Sequence, residues 1–233
     1  MNTKIFANKI RTLALNMVFE GQSSHIGSVL SEADVLAVLF NEILNIDSEN
    51  PKKPERDRFI LSKGHAGAGV YAALALKGFY DVKELKKHYS NGSVFSGHVS
   101  HKGVKGVEFS TGSLGHGLSV GVGMSLAAKK LCSDYTTYVL LSDGEMDEGS
   151  NWEALMSAAH FGLGNLTAVI DYNKLQSLTT TEETMGLEPL VDKIKAFGWE
   201  VIEVDGHDHK QLSNAFKNHN SSSDIPLMII AHT

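Results

Sequence analysis

The chain has 233 residues, 42% of them apolar, a formal net charge of −6 and a single cysteine, Cys132. Without basic clusters, that charge argues against a nucleic-acid or anionic-membrane surface, and one thiol excludes an internal disulfide. Length and apolar content suit one large α/β domain over residues 1–233; with no signal-peptide core and no membrane-length apolar run, a cytoplasmic protein without a membrane partner is expected.

The periodicity predicts an amphipathic helix over 4–20, with Ile10, Leu13, Met17 and Val18 toward the core and Gly21 as its stop. After a loop over 22–28, Ser31 and Asp34 approximate a capping box and predict a second helix to residue 41. Residues 45–58 read as a surface loop, 58–62 as a strand, 66–76 as a small-residue helix with His65 at its start, and 82–89 as a solvated outer helix. The stretch 91–111 is rich in Gly, Ser and His, lacks periodicity, and is longer than an idle connection needs to be. A helix to about residue 130 follows, and Cys132 just beyond it is expected to be a buried or semi-buried small apolar residue rather than a reactive thiol. Strands over 136–141, 166–170, 199–204 and 227–231 then alternate with helices over 150–161, 187–197 and 208–218. That alternation predicts a doubly wound, mostly parallel α/β sheet with helices on both faces.

Open α/β sheets bind ligands outside the carboxyl ends of their strands. The βαβ unit over 136–170 places Asp143 and Asn173 just past two neighbouring strand ends. A carboxylate and an amide oxygen delivered there, with the Leu175 carbonyl, suit magnesium, which takes few protein ligands and fills its octahedron with phosphate oxygens and water. Gly144 lets the backbone approach a phosphate, and the helix after Gly149 adds partial positive charge. An isolated Asp-Gly pair marks only a turn. The ligand reading rests on the order of strand, Asp-Gly, acidic turn, helix, strand and Asn. Among 11 histidines, His25, His65, His98 and His116 stand close to glycines in loops or helix starts, where a ligand can approach. His88, His160, His209 and His219 read as surface or capping residues, and no spacing suits zinc.

The run Ser142 to Glu153 (Ser-Asp-Gly-Glu-Met-Asp-Glu-Gly-Ser-Asn-Trp-Glu), followed by Gly164-Asn165-Leu166 and Asp171-Tyr172-Asn173-Lys174, resembles the thiamine diphosphate motif of transketolases. Other segments match that family in order. Ser24-His25-Ile26-Gly27 resembles its Gly-His-Pro-Gly turn, Gly64-His65-Ala66 its Gly-His-Ala, and Gly97-His98 its Pro-Gly-His. Thr111-Gly112-Ser113-Leu114-Gly115 and the segment from Trp199 to Asp208 also correspond. Ser142 replaces the motif's first glycine, Ile26 a proline, and His116 stands where many relatives have glutamine.

The resemblance implies the thiamine diphosphate-binding fold and a set of roles. Asp143, Asn173 and the Leu175 carbonyl would hold magnesium or calcium. Backbone groups of Gly144 and Glu145, with His65, would contact the diphosphate, and Gly112, Ser113 and Leu114 would line the pyrimidine side. His25, His65 and His98 would surround the reactive carbon, donating hydrogen bonds to the sugar or moving protons. Glu148 resembles an acid that links paired cofactor sites across the family's dimer interface; the other reading is an exposed helix-start carboxylate favoured by the helix dipole.

The chain therefore resembles the N-terminal subunit of a split transketolase, transferring a two-carbon ketol unit from a ketose to an aldehyde. A C-terminal partner subunit would supply the pyrimidine-binding half and the activating glutamate, in a heterotetramer. The alternative is a thiamine diphosphate-binding subunit that is non-catalytic, or specialised for a modified or nucleotide-linked sugar. The alpha subunits of 2-oxo acid dehydrogenases and deoxyxylulose phosphate synthase-like enzymes share the metal motif, but the His25 turn and His98 favour ketol transfer.

Overall fold

Runs of aliphatic and β-branched residues form five strands in a computed structural model that describes residues 1–233. They are β1 (Arg58–Leu61), β2 (Thr137–Ser142), β3 (Leu166–Tyr172), β4 (Glu200–Asp205) and β5 (Leu227–His232). All neighbours pair in parallel, in the spatial order β1-β2-β3-β5-β4. A parallel sheet is covered on both faces, and β3 at its centre is buried at every position.

Two cores result from the period-two alternation of strand side chains. On one face Tyr138, Leu140, Val169 and Ile229 pack against α1 (Thr3–Gly21), α2 (Ile26–Val38), α3 (Gly67–Leu76) and α8 (His209–Asn218). On the other, Val139, Leu141, Ile170 and Ile230 pack against α4 (Gly117–Leu131), α5 (Gly149–His160) and α7 (Leu190–Ala196). The expected doubly wound α/β architecture is present, and no helix is long and apolar enough to cross a membrane.

Register sets where the loops open. Ser142 pairs with Asp171, while Tyr172 and Asp205 both pair with His232. Four strands thus finish level, and the segments after them share one edge of the sheet.

Several local expectations are corrected. α2 starts at Ile26, so Ser31 and Asp34 lie inside it and form no capping box. The Ser31 hydroxyl instead reaches Ser28 O and Asp171, and Asp34 takes an ion pair from Arg11. Gly21 is the last residue of α1, but the left-handed cap is Gln22, with φ 49°. Gly21 is needed for closeness: a Cβ there would stand 2.9 Å from His88 O. The 82–89 segment is a 3-10 turn, Val82–Lys87, with Leu85 buried, and His88 beside it is also buried, 3.3 Å from Ser23 Oγ. His219 and His209 are covered as well, against Gly164 O at 2.8 Å and Asp34 Oδ1 at 2.9 Å, whereas His160 is exposed. Cys132 is exposed, because it caps α4 in a left-handed conformation (φ 52°) rather than packing along it. β3 runs two residues beyond residue 170, which places Asp171 in the sheet. A short helix, α6 (Thr181–Thr184), caps itself through Thr180.

Leu140 sits at the centre of β2 with no exposed surface. Leu140→Ala should cost about 2–5 kcal/mol through lost burial and an unfilled cavity, measured as a lower urea midpoint with an unchanged slope.

Candidate functional site

The level strand ends enclose a cavity of about 660 Å³. Its wall combines the entry to α2 (His25, Ser28, Ser31), His65 from the turn after β1, Leu114, Ser142 and Gly144 after β2, and Asn173 and Leu175 after β3. His207 and Thr233, after β4 and β5, complete it. Six of the expected site residues therefore face one space: His25, His65, Leu114, Gly144, Asn173 and Leu175.

Asp143 lies behind that wall, fully buried, with Oδ1 accepting from Gly144 N at 2.7 Å and Oδ2 from Lys174 N at 2.5 Å. Burial pushes its pKa up to about 6 against the pull of those two N–H groups. Asn173 Oδ1 accepts from Leu175 N at 2.8 Å. A carboxylate oxygen offers more than one lone pair, so each of these oxygens keeps acceptor capacity. An all-oxygen donor set around a buried carboxylate fits a hard divalent cation, and the charge of such an ion would relieve the cost of ionising Asp143. No cluster of three His, Cys, Asp or Glu side chains offers a softer site.

Glu145 has a structural role through its side chain, apart from the backbone role expected of that residue. Its buried side chain points away from the cavity, accepting from Ser62 Oγ, from Gly115 N at 2.8 Å and from Ser142 N at 3.3 Å. Its own backbone N–H donates to Ser142 Oγ at 3.3 Å. The serine that stands at the motif's first glycine thus lies against the Glu145 backbone N–H in the unliganded chain. Glu145 is a strut between the ends of β1 and β2 and the 111–117 loop, and that loop packs flush on the chain. A Cβ at Gly64 would stand 2.3 Å from Thr111 O.

Gly112 lies beside the His98 ring, where an added Cβ would be 3.6 Å from Cδ2, and Ser113 is exposed; neither lines the cavity. Glu148 is exposed at the N-terminus of α5 and makes no capping bond. His116 is exposed with Nδ1 3.0 Å from Leu114 O, outside the cavity.

The three histidines meet. Ring centroids are 5.1 Å apart for His25 and His65 and 5.8 Å for His25 and His98. Burial, then the charges of Lys63, His25 and His98, pushes the pKa of His65 down to about 4, and burial with His25 lowers that of His98. Near neutral pH both are uncharged imidazoles, each with one N–H to donate and one nitrogen to accept.

Sequence reasoning missed the layer that supports this wall. His65 Nε2 lies 3.0 Å from Ser28 Oγ, and His207 Nδ1 lies 2.7 Å from Asp34 Oδ2. Asp34 also takes a two-pronged contact from Arg11, at 2.6 and 3.1 Å. Burial opposes ionisation of Asp34, but hydrogen bonds from Arg11, His207 and His209 outweigh it and hold the pKa at about 2. Lys63, fully buried, pairs with Asp171 and lies 3.2 Å from Glu32. Two signals were available: His207 follows Gly206, as the other cavity histidines stand near glycines, and Lys63 immediately precedes Gly64-His65.

The family model described as "Transketolase, thiamine diphosphate binding domain" matches residues 2–233. The chain is 42% identical over 227 residues to one subunit of the apulose-4-phosphate transketolase of Phocaeicola vulgatus, covering 97% of this chain and 80% of the relative. It is also 42% identical to the 6-deoxy-6-sulfo-D-fructose transketolase subunit SqwG of a Clostridium species, covering 97% of this chain and 82% of that relative. Among solved structures, transketolase from Leishmania mexicana superposes with a TM-score of 0.95 at 34% identity, over 100% of this chain and 37% of that one. The chain thus spans little more than a third of that transketolase.

Glu32 has neither oxygen in an aligned hydrogen bond, and burial pushes its pKa to about 8 despite Lys63. Between its ordinary value of 4.5 and about 8, the folded chain holds a proton that the unfolded chain has lost, so this group lowers stability as pH rises through that window. Glu32→Gln should flatten that decline, read from urea unfolding at a series of pH values.

Proposed function

The chain belongs to the transketolase family as a thiamine diphosphate-binding domain, and on that premise we propose that it is the N-terminal subunit of a split transketolase. Convergence of Gly144, Asn173, Leu175, Leu114, His65 and His25 on one cavity carries this reading. When bound, thiamine diphosphate supplies the carbon nucleophile that takes a two-carbon ketol unit from a ketose and gives it to an aldehyde.

The chain's own residues bind and move protons. Asp143, Asn173 and the Leu175 carbonyl hold magnesium or calcium, and the open backbone at Gly144 with His65 receives the diphosphate. Leu114, with Gly112 and Ser113 behind it, lies along the pyrimidine side. His25, His65 and His98 face the sugar: a neutral imidazole donates from its N–H to a carbonyl oxygen and accepts a hydroxyl proton at its free nitrogen. Glu148, exposed and uncapped, is placed to meet an acidic or amide group across a subunit contact.

Two features point to a C-terminal partner subunit. Two relatives of which the chain covers 80% and 82% are named as subunits, and no carboxylate among the cavity-lining residues is available to act on an aminopyrimidine. The partner supplies that acid in a heterotetramer of two chains of each kind. The two relatives are named for apulose 4-phosphate and for 6-deoxy-6-sulfo-D-fructose. For this chain the donor is a ketose, plain or modified, whose distal end is read mainly by the partner half.

Calorimetric titration with thiamine diphosphate and magnesium tests the binding half. Asp143→Ala or Asn173→Ala should weaken cofactor retention about tenfold or more; retention unchanged in both variants would sink the assignment. Ketol transfer should be absent from the isolated chain and appear on adding a C-terminal transketolase subunit. Robust transfer by the single chain contradicts the split-site reading.

A further inference from the structure

One buried cation plays no part in the mechanism above. The Lys63 ammonium donates to Ser28 O at 3.0 Å and to Asp171, with Glu32 at 3.2 Å. Asp171 in turn accepts from Ser31 Oγ and Thr233 Oγ1. Three residues of the cavity wall, Ser28, Ser31 and Thr233, therefore hang from an ion pair that does not itself line the cavity. Ser28 is the junction, since its carbonyl holds Lys63 and its hydroxyl lies 3.0 Å from His65 Nε2. Lys63 and His65 belong to the same tight turn, so the contacts close a ring through Ser28.

We propose that Lys63 is a positioning residue for His65: by fixing Ser28 and Asp171, its ammonium keeps the His65 ring held through Nε2 on Ser28 Oγ, in one orientation and one tautomer. Burying an ammonium is unfavourable unless its donors are matched, and Lys63 faces three oxygens, two from α2 (Ser28 in its first turn and Glu32) and one from β3. An apolar side chain would fill the same volume without tying these segments together. The groups facing His65 are Lys63, His25, His98 and Asp171. Burial, the ammonium and the two imidazoles disfavour its charged form, and Asp171 alone opposes them. The orientation of His65 stands independently of the functional reading; its consequence for the cofactor rests on it.

Nitrogen-15 NMR of the full chain labelled at histidine, titrated between about pH 4 and 8, reads both tautomer and charge. Wild-type His65 is expected to stay in one neutral tautomer down to about pH 5. Lys63→Met should raise its titration by about one unit or more and mix its tautomers. Lys63→Arg, which keeps charge and donors, should restore the wild-type pattern, and Glu32→Gln, shaped like the protonated acid, should leave it unchanged. Ser28→Ala should free Nε2 without disturbing Lys63.

A wild-type His65 that titrates near 6.5 with both tautomers present, or a folded Lys63→Met chain with an unaltered His65 titration, overturns the proposal. If Lys63→Met does not fold, the wild-type and Ser28→Ala spectra decide. Titration with thiamine diphosphate and magnesium, run in parallel, should show roughly tenfold weaker binding by Lys63→Met. Failure of the wild-type chain to bind would remove the cofactor reading, and the His65 titration would still judge Lys63.

Discussion

Four parallel strands ending at one level leave a row of polar groups at the carboxyl edge of the sheet, and each must find a partner or remain in contact with solvent. This chain satisfies most of them with acids. Asp143 accepts backbone N–H groups from the loops after β2 and β3, and Glu145 draws in Ser62, Gly115 and the Ser142 backbone. Asp171 collects Ser31, Lys63 and Thr233. The cavity exists because these carboxylates pull the loops into place from below, which leaves the upper surfaces of the same loops free.

Such a layer concentrates negative charge in a dry place, and the structure resolves it unequally. Asp34 is matched by Arg11 and two histidines, which hold its pKa at about 2. Asp143 has backbone donors and, as the least of its influences, the charge of Lys63, and burial leaves its pKa near 6. Glu32 shares Lys63 with Asp171 and, without an aligned donor, holds its proton to about pH 8. Of the three, Asp143 lies directly behind Gly144 and Asn173 at the cavity wall. Of the two acids left under-compensated, Glu32 and Asp143, it is Asp143 that adjoins the space where a divalent cation would bring further positive charge, which fits the proposed metal set.

The sheet was legible because buried parallel strands are continuous apolar runs separated by helical patterns; β1, β2, β3 and β5 read that way, whereas β4, at the sheet edge, mixes apolar with acidic residues. The cavity wall was legible where glycine and histidine occur together, since those residues serve ligand approach better than packing. What misled was local pattern overridden by long-range contact. Ser31 and Asp34 read as a helix cap, yet their partners, Asp171 and Arg11, lie 140 and 23 residues away. His88 and His219 read as surface residues because nothing local shows that Ser23 or Gly164 would cover them. The inward part played by the Glu145 side chain was equally hidden. Only the fold reveals that Ser142 captures its N–H and that Ser62 and Gly115 turn its carboxylate inward.

Exposure across the site bears on the proposed split. Asp143, Glu145 and Lys63 are fully buried, His65 is half-buried, and His25 and His98 are exposed. The gradient runs from the anchoring layer up to the groups assigned to the sugar. Proton transfer between neutral imidazoles and a sugar oxygen is effective when water is excluded, because water competes for the same donors and screens their dipoles. This chain buries the anchoring end and leaves the end proposed to react open. Leu175, which lines the cavity, and Leu178, three residues on, are also exposed, Leu178 at 98%. An exposed apolar side chain on the wall of a cavity that also holds His25 and His65 suits a surface that a second protein half covers, in line with the proposed division of labour.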